Sequence, residues 1–268
     1  MFSFFIGALL SLISATPDTS SSSIQHAPAT AAISVEFDNI IGGKQVQLNT
    51  GQYTNVKGET FTISLLQYYI SNLVFTKADG SQYVVPQDSS YFLIKEADPT
   101  TRYARVRVPE GEYTGLQFVL GVDSVRSTKD ISERKGVLDP SDGMDNGMYW
   151  GWNSGYIFFK MEGNSNAAPT DPSGKSKYRY HIGGFGGYTA PTLNNIKVIS
   201  MDLTKAGTAK AQDGHRSNIH IMVDVEKVFN GEEQLSIAAH PTVMFSPYSV
   251  KIANNFPAMF RHDHTENK

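Results

Sequence analysis

From Ile33 onward, apolar and polar residues alternate in run after run, and turn signals cut the runs short. Ile33-Ser34-Val35-Glu36-Phe37 has this period, as do Phe61-Thr62-Ile63-Ser64-Leu65, residues 196–203 and residues 218–225. Period two places alternate side chains on opposite faces of a strand, so each run reads as a half-buried β-strand. Residues 67–75 are rich in β-branched and aromatic types and lead to Asp79-Gly80, a hairpin-type dipeptide, ahead of Tyr83-Val84-Val85. Residues 91–94, 105–108, 116–120 and 178–182 are further predicted strands. Helical periodicity is scarce. Residues 123–135 are predicted to hold one short helix, with too few apolar positions for the core, and residues 137–147 and 164–177 read as loops. With 268 residues, 40% of them hydrophobic, the chain is long enough to bury a substantial core. The expectation is an all-β fold: one β-sandwich domain over residues 33–268, with long decorated loops and no internal repeat.

Composition excludes several functions. There is no cysteine, so a thiol nucleophile, a cysteine-zinc site and a disulfide framework are all ruled out. Any metal must be held by His, Met, carboxylate, backbone oxygen or a modified side chain. The formal net charge of -3 supplies no basic field for nucleic acid. Residues 1–15 are apolar but too short to span a bilayer, and end in Ile13-Ser14-Ala15. They read as a secretory signal peptide lacking a basic n-region, followed by a Ser/Pro/Ala-rich tether over 16–32. A periplasmic or secreted protein with no transmembrane span is expected.

Both tryptophans fall in Met148-Tyr149-Trp150-Gly151-Trp152. In an extended strand Trp150 and Trp152 point the same way. With Met148 they make either a core anchor or one wall of a metal or redox site. Downstream, His181-Ile182-Gly183-Gly184-Phe185-Gly186-Gly187 lacks the register and the βαβ frame of a dinucleotide fingerprint. Its glycines suit a bulge or a close backbone approach, for example to an indole face. His181 ends the preceding strand as a hydrogen-bonded histidine or a ligand. His262-Asp263-His264 would place two imidazoles on one strand face, a bite for copper or zinc, or else a polar tail with solvated histidines. His220 shares its face with Asn218 and Met222, the solvent side of its strand. Asp139, Asp142 and Asp145 offer oxygens at a spacing that does not match an EF-hand. No zincin motif, nucleophile elbow or P-loop is present, so an enzyme is not expected.

Several blocks resemble the MbnP-like copper-binding domain family. They are Tyr68-Tyr69-Ile70-Ser71-Asn72; residues 109–113 with 118–124; Leu138-Asp139-Pro140 leading into residues 148–156; His181-Ile182-Gly183-Gly184-Phe185; and residues 252–256 with Met259-Phe260. The resemblance implies an exported β-rich domain that binds copper through histidine. It also implies a tryptophan oxidised to kynurenine, whose amine joins the copper site, by a partner related to dihaem cytochrome c peroxidases. Trp150 and Trp152 match the family's tryptophan motif, and His181 matches its H-[IL]-G histidine. The chain departs from the methanotroph members at Gly121-Val122-Asp123, which runs into Ser124-Val125-Arg126 where they have an Asn-His pair, and it lacks their cysteines. The expected metal residues are therefore His181, His262, His264, Trp150, Trp152 and Met148, with copper as the ion. The alternative is a non-catalytic binding module in which Trp150, Trp152 and Tyr156 form a stacking platform or simply core.

Overall fold

The computed structural model describes residues 28–152 and 155–268. The expected signal segment, and the tether as far as residue 27, lie outside the described residues. Among the described residues, ten strands of five or more residues carry the fold: β1 (Thr30–Ile41), β2 (Leu65–Lys77), β3 (Tyr91–Lys95), β4 (Tyr103–Pro109), β5 (Gly111–Leu120), β6 (Gly155–Asn164), β7 (Lys177–Gly183), β8 (Lys197–Asp202), β9 (Ser217–Asp224) and β10 (Phe260–Asn267). β1 begins at Thr30, so the end of the Ser/Pro/Ala-rich segment is already in the sheet.

The smaller sheet runs β10-β9-β1-β4, with Lys44–Gln45 added beside the end of β1. β1 and β9 are parallel, and the other pairs named here are antiparallel. The larger sheet runs β8-β5-β2-β6-β7, with β3 along the free side of β2. β2 is the central strand, and its residues Leu66–Ser71 are all buried. The two sheets face each other through an aromatic cluster. Phe118 of β5 meets Phe37 of β1 and Phe260 of β10 edge-on, with ring centroids 5.4 and 5.2 Å apart. Such T-shaped pairs set the negative face of one ring against the positive edge of the next. The architecture is the expected all-β sandwich in one domain.

Among the described residues three short α-helices decorate it: α1 (Ser124–Thr128), α2 (Pro140–Asp145) and α3 (Pro247–Asn255). α1 lies within the one segment predicted to be helical. α2 lies in a stretch read as loop, and α3 was not expected. In α2 the Asp139 carboxylate accepts from the Ser141 N–H, and Pro140 occupies the first helical position, where its missing N–H costs nothing. Among the described residues no helix is long and apolar enough to cross a membrane.

Candidate functional site

The tryptophans do not lie along one extended strand. Tyr149 and Trp150 pair with Tyr156 and Gly155, and the chain turns at Gly151-Trp152. Trp150 is therefore 6% exposed and Trp152 68% exposed. The two rings remain neighbours, with centroids 5.6 Å apart and planes tilted by 45°. Trp150 also meets Phe245 edge-on at 6.2 Å.

The glycine cluster packs under this indole, as its composition suggested. A Cβ on Gly183 would stand 2.8 Å from Trp150 Cζ3 and 2.3 Å from the Tyr156 carbonyl oxygen. Asn195 locks the arrangement by donating to the Gly183 carbonyl at 2.7 Å and to the Ser249 hydroxyl of α3 at 2.9 Å. A cavity of about 280 Å³ opens beside Trp150, walled by Phe185, Tyr188, Phe245 and the glycine backbone. Among the described residues no imidazole, carboxylate or thioether lines it.

The other expected donors lie elsewhere. Met148 is fully buried in the core. His181 sits on the outer face of β7, where Tyr178, Tyr180 and Ile182 point inward. Its Nε2 lies 2.7 Å from Glu162 Oε1, and Lys160 Nζ lies 3.5 Å from the same oxygen. The His181 hydrogen bond, aided by the Lys160 charge, holds the Glu162 carboxyl below its ordinary range despite partial burial.

His262 and His264 do not share a face. The pairing of β9 with β10 matches His220 with His264 and Ile221 with His262, leaving Asp263 as an extra, bulged residue. A bulge breaks the two-residue period, so the His-x-His expectation fails locally. His262 instead meets the Thr265 hydroxyl at 2.9 Å, and burial pushes its imidazole below the ordinary value. His264 joins Asp263 and His220, a residue the sequence placed on the solvent side without assigning it a role. The His264 Nδ1 to Asp263 Oδ2 distance is 2.9 Å, and the rings of His220 and His264 are 4.9 Å apart. Among the described residues this is the group of three metal-ligating side chains whose donor atoms converge.

The blocks that carry the family resemblance join one another as a structural junction. Ser71 donates to the Gly121 carbonyl at 2.8 Å, and Asn72, held at φ 53°, donates to Asp123 at 3.0 Å. Tyr69 donates to the Val137 carbonyl at 2.9 Å, and Tyr156 donates to the Leu138 carbonyl. Burial raises the pKa of Asp123. Hydrogen bonds from Tyr91, the Arg126 N–H and Asn72 outweigh that and hold it below its ordinary range. Asp123 thus caps α1 and ties three segments together.

A two-sheet aromatic sandwich, with a tryptophan hairpin seated on a glycine-rich strand end, defines an all-β sandwich domain. The MbnP family model matches residues 30–245, and the chain belongs to that family. Among solved structures it is similar to MbnP from Methylosinus trichosporium, with 16% identity and a TM-score of 0.56. That match covers 89% of this chain and 99% of the other, and at such low identity it speaks for the fold alone. No curated protein sequence matches.

Proposed function

We propose that this is an exported, non-enzymatic metal-binding protein of MbnP type, with copper as its metal and Trp152 as the indole open to oxidation. The observation that carries the reading is the exposure of Trp152, 68% accessible, at 5.6 Å from the buried Trp150. An external oxidant reaches the first ring and not the second. In the family resemblance that oxidant is a dihaem cytochrome c peroxidase-like partner. With two molecules of hydrogen peroxide, cleavage of the indole C2–C3 bond adds two oxygens and releases two waters. Hydrolysis then frees formate and leaves kynurenine with an arylamine.

A copper ion does not fit beside the indole pair on the described side chains. The adjoining cavity offers no imidazole, His181 is engaged by Glu162, and Met148 is enclosed in the core. Under this proposal the imidazole donors belong to another part of the chain. Intact-mass analysis of protein co-produced with such a peroxidase tests the oxidation. The expected result is the kynurenine mass increment, lost in Trp152→Phe and kept in Trp150→Phe. An unmodified mass overturns the reading.

The uncharged aromatic walls of the 280 Å³ cavity favour one second reading, a non-catalytic module that stacks a neutral ring-shaped ligand. Under that reading the mass stays unmodified and copper is not retained.

A further inference from the structure

We propose that the outer face of the smaller sheet holds a site for a late first-row divalent cation, built by His220, Asp263 and His264, with Asp38 orienting His220. The inference rests on the metal-binding reading only in its choice of probe ions. It needs neither a modified tryptophan nor the cavity beside it. Asp263 and His264 also lie beyond residue 245, where the family match ends.

The bulge creates the site. It lets two consecutive residues of β10 stand beside His220 while His262 turns away. Asp263 Oδ2 lies 2.9 Å from His264 Nδ1 and 3.5 Å from His220 Nδ1. Metal–nitrogen bonds of about 2.0–2.1 Å in a tetrahedral site put neighbouring donors roughly 3.3 Å apart. The two spacings from Asp263 bracket that edge length and all three donor atoms lie within 4.8 Å of one another, so an ion can enter with small side-chain shifts.

His220 Nδ1 supplies a second, independent sign. It is out of contact with solvent and, among the described residues, has no hydrogen-bond partner. A polar atom in that state is costly, and a bound cation satisfies it. The other ring nitrogen, Nε2, stands 3.6 Å from Asp38 Oδ2. That is a charge contact just beyond hydrogen-bond length; a small turn of the ring on taking up an ion closes it into a carboxylate–histidine–metal arrangement, in which the carboxylate fixes the tautomer and ring orientation. Arg261 lies 3.4 Å from the second oxygen of Asp263, which leaves Oδ2 to face the imidazoles. The His264 side chain is half-exposed, so the site opens to solvent and an ion enters from outside.

Two imidazoles and one carboxylate form a borderline donor set. It suits Cu(II) and Zn(II), and discriminates against the oxygen-seeking Mg(II) and Ca(II). The remaining coordination positions face water.

The test uses the full chain made without any oxidising partner, its indoles verified as intact by mass. Zn(II) alone is titrated against a chromophoric chelator, and Cu(II) is examined by electron paramagnetic resonance. One equivalent of Zn(II) per chain is expected, with hyperfine coupling from two nitrogens in the Cu(II) spectrum. His264→Ala and Asp263→Asn should each weaken Zn(II) binding at least tenfold, and Asp38→Asn by about 10–100-fold. His215→Ala, which removes an exposed imidazole elsewhere, should leave it unchanged. Circular dichroism checks each fold, and Asp263→Asn decides if the histidine variant does not fold. A parent protein that binds no Zn(II), or variants that bind it as the parent does, overturn the proposal. Failure of tryptophan oxidation is read separately by mass and leaves this result untouched.

Discussion

Gly183 is in direct contact with Trp150: a Cβ at this position would lie 2.8 Å from the indole Cζ3. The same Cβ would press to 2.3 Å on the backbone oxygen of Tyr156, which has no room to withdraw because Tyr156 is part of β6. Gly183→Ala is therefore expected to destabilise the fold by about 3 kcal/mol, the upper range for overpacking. Urea denaturation gives the loss, and the tryptophan emission should shift red as the Trp150 pocket opens. A variant with the parent's midpoint and spectrum would show that the strand end yields without cost.

The two tryptophans should differ sharply in stability effect. Trp150→Ala empties a buried site and is expected to cost about 3–5 kcal/mol. Trp152→Ala removes an exposed ring whose main partner is Trp150, and is expected to cost about 1 kcal/mol or less. Iodide quenching checks the same asymmetry, since it should reach Trp152 and spare Trp150. Equal losses from the two substitutions would contradict the hairpin geometry.

Alternation was a sound guide where strands are regular. β9 buries Ile219, Ile221 and Val223 and turns Asn218, His220 and Met222 outward, as the period requires. The cluster Gly183-Gly184 was legible as a close-approach site because glycine in a strand end seldom has another use. The period misled at two places, both decided by hydrogen bonding between strands. At Gly151 the chain turns, and Trp150 and Trp152 lose their common face. At Asp263 the bulge separates His262 from His264 and recruits His220. A bulge depends on how β9 and β10 register, which is a long-range property absent from either strand alone. The α2 signal was present, since Asp139-Pro140-Ser141 is a capping residue followed by proline at the first helical position. Its short, acidic body, interrupted by Gly143, hid it.

His181 is expected to act on acid stability through Glu162. The Glu162 carboxyl is depressed in the folded state, first by the His181 hydrogen bond. A depressed carboxyl contributes stability above its unfolded value, about pH 4.3, and that contribution is lost as pH falls through the lower folded value. His181→Ala removes the chief cause of the depression. It should lower stability at pH 7 by about 1–2 kcal/mol, with a much smaller penalty at pH 3. Urea midpoints of parent and variant at the two pH values decide it. An equal shift at both would mean that His181 contributes through packing rather than through the carboxylate.

Glu59 offers the last and most local test. Its Oε1 accepts from the Ser236 hydroxyl at 2.7 Å and the Ala238 N–H at 3.0 Å. Its Oε2 accepts from Asn55 Nδ2 at 2.6 Å and the Ile237 N–H at 2.7 Å. Burial raises its pKa, yet these hydrogen bonds outweigh that and leave the carboxyl below its ordinary range. One ionised side chain thus pins the loop ahead of β2 to the segment before α3. Glu59→Gln keeps the shape but replaces one acceptor by an amide NH₂, which meets two donors head-on. The expected cost is about 2 kcal/mol, the range for charge-assisted hydrogen bonds lost with a donor left unpaired. Amide hydrogen exchange at Ile237 or Ala238 should accelerate, whichever faces the NH₂, while exchange in β9 changes only with global stability. Unchanged protection at both amides would show that the loop is held by its packing alone.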